Sequence, residues 1–474
     1  MHTVDLIAFA PHMYTMEGEG VGYKADHALV VDGGKIVAVM KKEEALRAYQ
    51  AEKVLALPHH VLLPGLIDAH MHTGSNILRG LAQDTGYWMM YGVQPFSLQQ
   101  TIEDYEAGSK VAMIEAIKAG TTTLGDYQKD MQGRCEFLAK LGARGVITQT
   151  IRDAVKRVYE PGELYEFSEE LGEQSLGENL ALYDKWHGYD GGRIRVMFGP
   201  QGADFVSCDL LKRIYQLAKE RNTRVHMHTQ QGDRETAQME MRYGMRPVAW
   251  LKQEGLLNET LLAVHLTDCT EKEARMVANS GASMIVCPGS IGIIDGIVPP
   301  SLAFQRAGGA VALGSDQACG NNCHNIFNEM KLVALFNKIK EKDPEVLPAW
   351  RALRMATIEG AQALGMHREI GSLEQGKRAD FIAVDTMQPS MMPIYTHPMR
   401  NMVPNLVYSA RGCEVDVSVV EGRVIMEHQK LLAVDETQYL EQMQTRAQDL
   451  GRRATEMFEK IHGTNAVFME EGKL

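Results

Sequence analysis

Long apolar stretches are missing from this 474-residue chain: nowhere do eighteen apolar residues follow one another, so no membrane-spanning helix is expected. Runs of lysine or arginine are missing as well, and 61 acidic against 49 basic side chains leave a formal net charge of -12. Without a basic cluster to neutralise phosphates, neither nucleic acid nor an anionic membrane is an expected partner. The opening MHTVDLIAFAPHMYT has neither the basic start nor the small-residue cleavage site of a secretory leader. Cysteine is sparse, and seven residues scattered over the length make no disulfide framework, which suits a reducing compartment. The expectation is a cytoplasmic protein acting on a small molecule.

What is present is an alternation. Short runs rich in β-branched residues span 65–74, 120–127, 144–150, 193–201, 224–231, 261–267, 283–290 and 310–317. Between them lie helical patterns such as TIEDYEAGSKVAMIEAIKA and CDLLKRIYQLAKE, which fit crossovers between parallel strands. Eight such units predict an α/β chain folded as a (β/α)8 TIM barrel over 61–374, with its site at the carboxyl ends of the strands. Outside the barrel the period changes to two. HALVVDGGKIVAVM turns at Gly33 and Gly34, and VDVSVVEGRVIMEH turns at Glu421 and Gly422, so both read as antiparallel hairpins. Neither end has enough strands for a stable sheet alone, which predicts one small β-sandwich domain built from 1–60 plus 375–432. An amphipathic helix follows within 433–474.

The tripeptide HMH occurs twice, at 70–72 and 226–228. Alternate residues of a strand share a face, so His70 and His72 both point inward at the end of the first strand. His228 ends the fifth strand, His265 the sixth and Asp316 the eighth. Imidazoles and a carboxylate converging on one strand-end crevice predict a site for one divalent ion, Zn or Fe, with a position left for water. His226 lies two residues deeper than His228 and reads first as a buried, hydrogen-bonded histidine, second as a partner of a ligand.

PGLIDAHMH, GTTT, the histidines of the fifth and sixth strands, the aspartate of the eighth, MATIEGAQALG and EIGSLEQGKRADFIAVD together resemble the amidohydrolase superfamily. Within it the chain is most similar to the branch of chlorotriazine hydrolases, S-adenosylhomocysteine deaminases and guanine deaminases. The resemblance implies that His70, His72, His228 and Asp316 bind one metal, that Asp316 also shuttles the proton, and that His265 stands against the attacking water. Relatives with a second metal carry a lysine at the end of the fourth strand; RIRVMFGPQ has none, so one ion per chain is expected.

Two positions depart from that pattern. Deaminase relatives place a glutamate three residues after the histidine of the fifth strand, and here that residue is Gln231, which cannot deliver a proton at neutral pH. They also often carry a histidine after Gly-Pro at the end of the fourth strand, where this chain has Gln201. The expected reaction is hydrolysis of a C–N bond in a small, cyclic nitrogen compound, by deamination or at a urea, carbamate, amidine or lactam. Hydrolytic dechlorination of a triazine-like ring is a narrower alternative, and a non-catalytic barrel a remote one. Gln231, Gln201, Trp88 and Asn321 are the candidate substrate contacts. Cys319, Cys323 and His324 have a spacing that is unusual for zinc, and GEGVG at 18–22 precedes a strand instead of following one and reads as a turn. The loop DTGYWMMYGVQPF offers an aromatic wall either to the pocket or to a neighbouring subunit, and a homo-oligomer is expected.

Overall fold

The computed structural model describes residues 2–157, 159 and 162–474. Among them, eight parallel strands follow one another in chain order around the barrel: β1 (Leu66–Met71), β2 (Thr121–Gln128), β3 (Arg144–Ile151), β4 (Ile194–Pro200), β5 (Val225–Thr229), β6 (Leu261–His265), β7 (Ser283–Val286) and β8 (Val311–Leu313). All eight expected runs are strands, most of them shorter than the apolar pattern because the chain leaves the ladder to present its polar ends. The barrel closes between β8 and β1 at a single bridge, Met71 to Asp316, made by Asp316 N–H to the His70 carbonyl (2.9 Å) and His72 N–H to the Asp316 carbonyl (3.0 Å). Closure therefore brings the first and last expected ligands into contact through their own backbones. Gly314 makes this possible: a Cβ there would stand 2.7 Å from the His70 carbonyl oxygen.

The remaining strands form one nine-stranded mixed sheet drawn from both chain ends. His2–Tyr14 pairs with Tyr23–Asp32 along one edge; along the other it meets Tyr49–Ala56 at its start and His60–Pro64 at its end. The sheet consequently forks, and its branches close over a shared core that includes Leu6, Leu29, Leu55, Phe381 and Val417, as in a small sandwich. Both expected hairpins turn where left-handed residues allow it, at Gly33 and Gly34 (φ 56° and 76°) and at Glu421 and Gly422 (φ 50° and 72°). His60–Pro64 belongs to this sheet, pairing with Phe381–Asp385, so the sheet takes in 61–64, which the expected boundary gave to the barrel. Sheet and barrel are joined by the fully buried Arg144, which opens β3 and bonds Asp380 (2.6 and 3.1 Å) and Glu421 (3.1 Å).

The C-terminal helix runs from Glu436 to Ile461 and buries Leu450 and Ala454. Leu450 packs with Ile77, Leu78, Val93 and Cys319, so this helix clamps the segment after β1 onto the barrel mouth. Arg453 adds an ion pair to the buried Asp104.

Candidate functional site

Five imidazoles crowd the carboxyl end of the barrel. His70, His72, His226, His228 and His265 have ring centroids 4.7–5.5 Å apart in the closest pairs. Their hydrogen bonds assign the tautomers. His72 Nδ1 lies 2.5 Å from the Tyr127 carbonyl and His228 Nδ1 lies 2.9 Å from the Gln201 carbonyl; each must donate there, because a carbonyl only accepts. Both Nε2 atoms are then bare lone pairs, yet they face each other at 3.4 Å. Two lone pairs cannot hydrogen-bond. Their convergence fits a cation between them, which is how a ligating histidine is ordinarily braced through its other nitrogen.

His70 extends the same logic. Its Nδ1 is 2.9 Å from His226 Nε2, while His226 Nδ1 is 3.0 Å from the Thr148 hydroxyl. Among the described residues His70 Nε2 is buried with no hydrogen-bond partner, and so are both ring nitrogens of His265. The Asp316 carboxylate completes the set: Oδ1 stands 3.3 Å from His72 Nε2 and 3.8 Å from His70 Nε2, and Oδ2 accepts a 2.7 Å bond from the Ser290 hydroxyl. Two overlapping groups, His70–His72–His228 and His70–His265–Asp316, each bring their ligating atoms within 4.8 Å of one another. Burial lowers the pKa of His226 to about 3 and that of His265 to about 4, and holds His70 and His228 well below the usual range, so all four stay neutral at pH 7, as metal ligation requires.

The backbone is strained where these side chains emerge. His265 (φ 75°) and Asp316 (φ 58°) are left-handed non-glycine residues, a conformation costing roughly 1–3 kcal/mol each and concentrated at functional sites. The β1 end is pinned by Asp126, which accepts the Thr73 N–H (3.0 Å) and hydroxyl (2.5 Å) next to His72.

A cavity of about 660 Å³ opens over the cluster, with His72, His228 and Asp316 in its wall. Gln201, Gln231 and Trp88 also line it, together with Met89. Tyr87, from the same aromatic loop, is 80% exposed and is not part of the wall. Asn321 does not line it. Its amide is buried behind the strand end, donating to the Ser315 carbonyl (2.8 Å) and to Glu329 (2.9 Å), so it braces the peptide before Asp316 and was misplaced by its nearness in sequence. His226 combines its two expected readings: it is buried and hydrogen-bonded to Thr148, and it also contacts the candidate ligand His70. Cys319, Cys323 and His324 make no metal-sized group among the described residues, and His324 Nδ1 is occupied by the Ser315 hydroxyl at 2.8 Å.

Sequence reasoning passed over Ser290 and the Tyr127 carbonyl, each of which orients a candidate ligand, and Thr148, which holds His226 behind His70. Ser290 had a signal, since it closes the apolar run SMIVCPGS at the site's end of the barrel. It also passed over Glu235, whose carboxyl accepts the Gln231 N–H at 2.9 Å and is raised by burial to about 8. Glu235 lies behind Gln231 and outside the cavity wall, so it does not stand in for the glutamate that the deaminase pattern puts at 231.

Neutral imidazoles and a carboxylate at the open end of a parallel barrel define a hydrolase of the metal-assisted barrel type. The chain belongs to the amidohydrolase family, whose model matches residues 61–425, and it is a hydrolase of carbon–nitrogen bonds other than peptide bonds. It is 33% identical over 412 residues to a 5-methylthioadenosine/S-adenosylhomocysteine deaminase of Caldanaerobacter subterraneus subsp. tengcongensis, covering 86% of this chain and 91% of the relative. Among solved structures it resembles an adenosine deaminase from Xanthomonas campestris with bound zinc (TM-score 0.86, 27% identity, 95% of this chain and 99% of the other). The atrazine chlorohydrolase of Arthrobacter aurescens TC1 in complex with zinc shares the fold (TM-score 0.82, 19% identity, 93% of this chain and 100% of the other).

Proposed function

We propose that the chain deaminates or otherwise hydrolyses a C–N bond in a small cyclic nitrogen compound, using one divalent ion, Zn or Fe, held by His70, His72, His228 and Asp316. The observation that carries this reading is the pair of facing Nε2 lone pairs at 3.4 Å with the Asp316 carboxylate beside them. A divalent ion bound there supplies a Lewis acid and brings the pKa of a water toward 7. The chain's own residues do the rest. Asp316, oriented by Ser290, takes the proton of the attacking water and returns it to the leaving nitrogen. His265, whose ring nitrogens make no hydrogen bond among the described residues, holds a ring N–H toward the charge that develops on the attacked centre. Purified protein should contain close to one Zn or Fe per chain and release ammonia or an amine from a panel of cyclic amines, ureas and carbamates; metal-free protein with full activity would refute this.

The deaminase relatives favour loss of ammonia from an aminated ring. Gln231 favours a substrate whose leaving group needs no ring protonation, such as a urea, carbamate, amidine or lactam, because the cavity wall carries an amide where an acid would stand. Gln231→Glu separates the two. If the glutamine is an adaptation, native turnover falls in the variant while deamination of an aminopurine rises, by up to about 10²-fold given what a positioned general acid contributes. Faster native turnover by the variant would mean that the acid was simply lost.

His226 gives a further prediction. His226→Phe removes the acceptor of the His70 Nδ1–H, and ion affinity should drop about 10- to 100-fold in a chelator competition. Unchanged affinity would remove His226 from the metal's support.

A further inference from the structure

In a chain of net charge -12, the cavity wall carries four cations, Lys129, Arg152, Lys156 and Arg234. Two are engaged: Arg234 pairs with the buried Asp204 at 3.1 Å, and Lys129 stands 4.0 Å from Asp130. The other two have no such partner. Arg152 donates to the Ala154 carbonyl (3.1 and 2.9 Å) and the Gln201 side-chain oxygen (3.2 Å), all neutral acceptors, which leaves guanidinium N–H groups over. No carboxylate among the described residues lies within ion-pair distance of Arg152, and none lies within that distance of Lys156. Partial burial of its ammonium and the neighbouring Lys129 and Arg152 charges push Lys156 down from its ordinary value; burial does the same to Arg152, with the charge of the nearby Asp204 carboxylate acting the other way. Apart from Asp316, the carboxylate in the wall is Glu178, which accepts from Gln149 and Gln174, each at 3.1 Å.

The guanidinium is also fixed in place. Arg152 lies 5.0 Å from the Phe205 ring centroid and Arg234 4.7 Å from the same ring, while Tyr165 stacks on it at 5.2 Å. Gln201 links this wall to the histidines, its backbone carbonyl holding His228 and its side chain holding Arg152. A bound group at Arg152 is thereby set in register with the reacting end of the cavity.

We propose that Arg152 and Lys156 form an anion subsite of this cavity, and that the natural substrate is a small nitrogen compound carrying a carboxylate or a phosphate, seated there while its C–N bond meets the histidine cluster. Arg152 supplies directed N–H donors to the oxyanion, and exposed Lys156 supplies a mobile point charge. The proposal rests on the hydrolytic reading above and narrows its substrate class.

The test uses the purified metal-loaded protein and matched compounds differing only in the anion: an aminopurine, an aminopyrimidine and an aminotriazine, each as the neutral parent, a carboxymethyl derivative and a phosphate ester. At least one anionic member should exceed its parent by tenfold or more in kcat/KM, chiefly through KM, and whether the carboxylate or the phosphate wins identifies the anion. That ratio should collapse toward one in Arg152→Gln and fall in Lys156→Glu, whose exposed position tolerates the change. A ratio near one in the parent protein, or a ratio that neither variant alters, overturns the subsite. If no compound is hydrolysed, deamination of an aminated ring fails by itself and calorimetry with the same compounds decides the subsite. At least tenfold weaker binding of the anionic members to Arg152→Gln, lost also at high salt, supports it; equal binding of anionic and neutral members overturns it.

Discussion

Asp316→Asn is expected to lower turnover by about 10²- to 10⁴-fold, the contribution of a positioned acid–base group, while three imidazoles remain for the ion. The carboxylate is 2% exposed, its Oδ2 is held by Ser290 at 2.7 Å, and its Oδ1 faces His72 at 3.3 Å. An amide fills the same space, still ligates weakly through its oxygen and cannot carry the proton from water to leaving group. Activity and metal content must be measured on the same preparation, since loss of the ion alone would also stop turnover. A variant that retains its metal and works within a few fold of the parent would mean that another group shuttles the proton. A non-catalytic barrel, in turn, would show no activity to lose.

Removing the ion should abolish activity and destabilise the fold together. Without a cation, the His72 and His228 lone pairs oppose each other at 3.4 Å, and His70 Nε2 and both His265 nitrogens are buried without partners. Buried polar atoms left this way are costly, and an ion that binds only the folded chain stabilises it by about 2.7 kcal/mol at 100 times its Kd. Chelator-treated protein should therefore lose turnover and melt a few degrees lower, with both restored by stoichiometric Zn or Fe. Restored stability without restored activity would separate a structural ion from the reaction; no change in melting would argue against occupancy of this cluster.

The barrel was legible because its signal is local. Apolar β-branched runs alternating with helical periods mark strands and crossovers segment by segment, and period-two side-chain alternation places His70 and His72, or His226 and His228, on one inward face. The polar ends of successive runs then meet at one mouth, which is why the sequence brings His70, His72, His228, His265 and Asp316 together. Their roles came from family resemblance, since spacing alone does not say which imidazole ligates and which faces the water.

Residues beyond the strand ends were another matter. Asn321 lies five positions after Asp316 and looked like a substrate contact, but the turn at 318–321 directs its amide inward to Ser315 and Glu329. Arg152 and Lys156 carried no signal in the sequence, and only the approach of Gln201 from the end of the next strand, of Phe205 from a later loop and of Arg234 from the helix after β5 gives Arg152 its setting. His226 likewise gained its second partner when β1 and β5, 156 positions apart, met across the barrel. The sequence by itself determined the eight-stranded α/β barrel, the two-ended sheet and the five strand-end ligand candidates, because periodicity fixes the direction of a side chain within a regular element. Only the tertiary structure decided the tautomers, the bracing hydrogen bonds and the cationic wall, because outside regular elements a side chain's direction is set by contacts from segments remote in the chain.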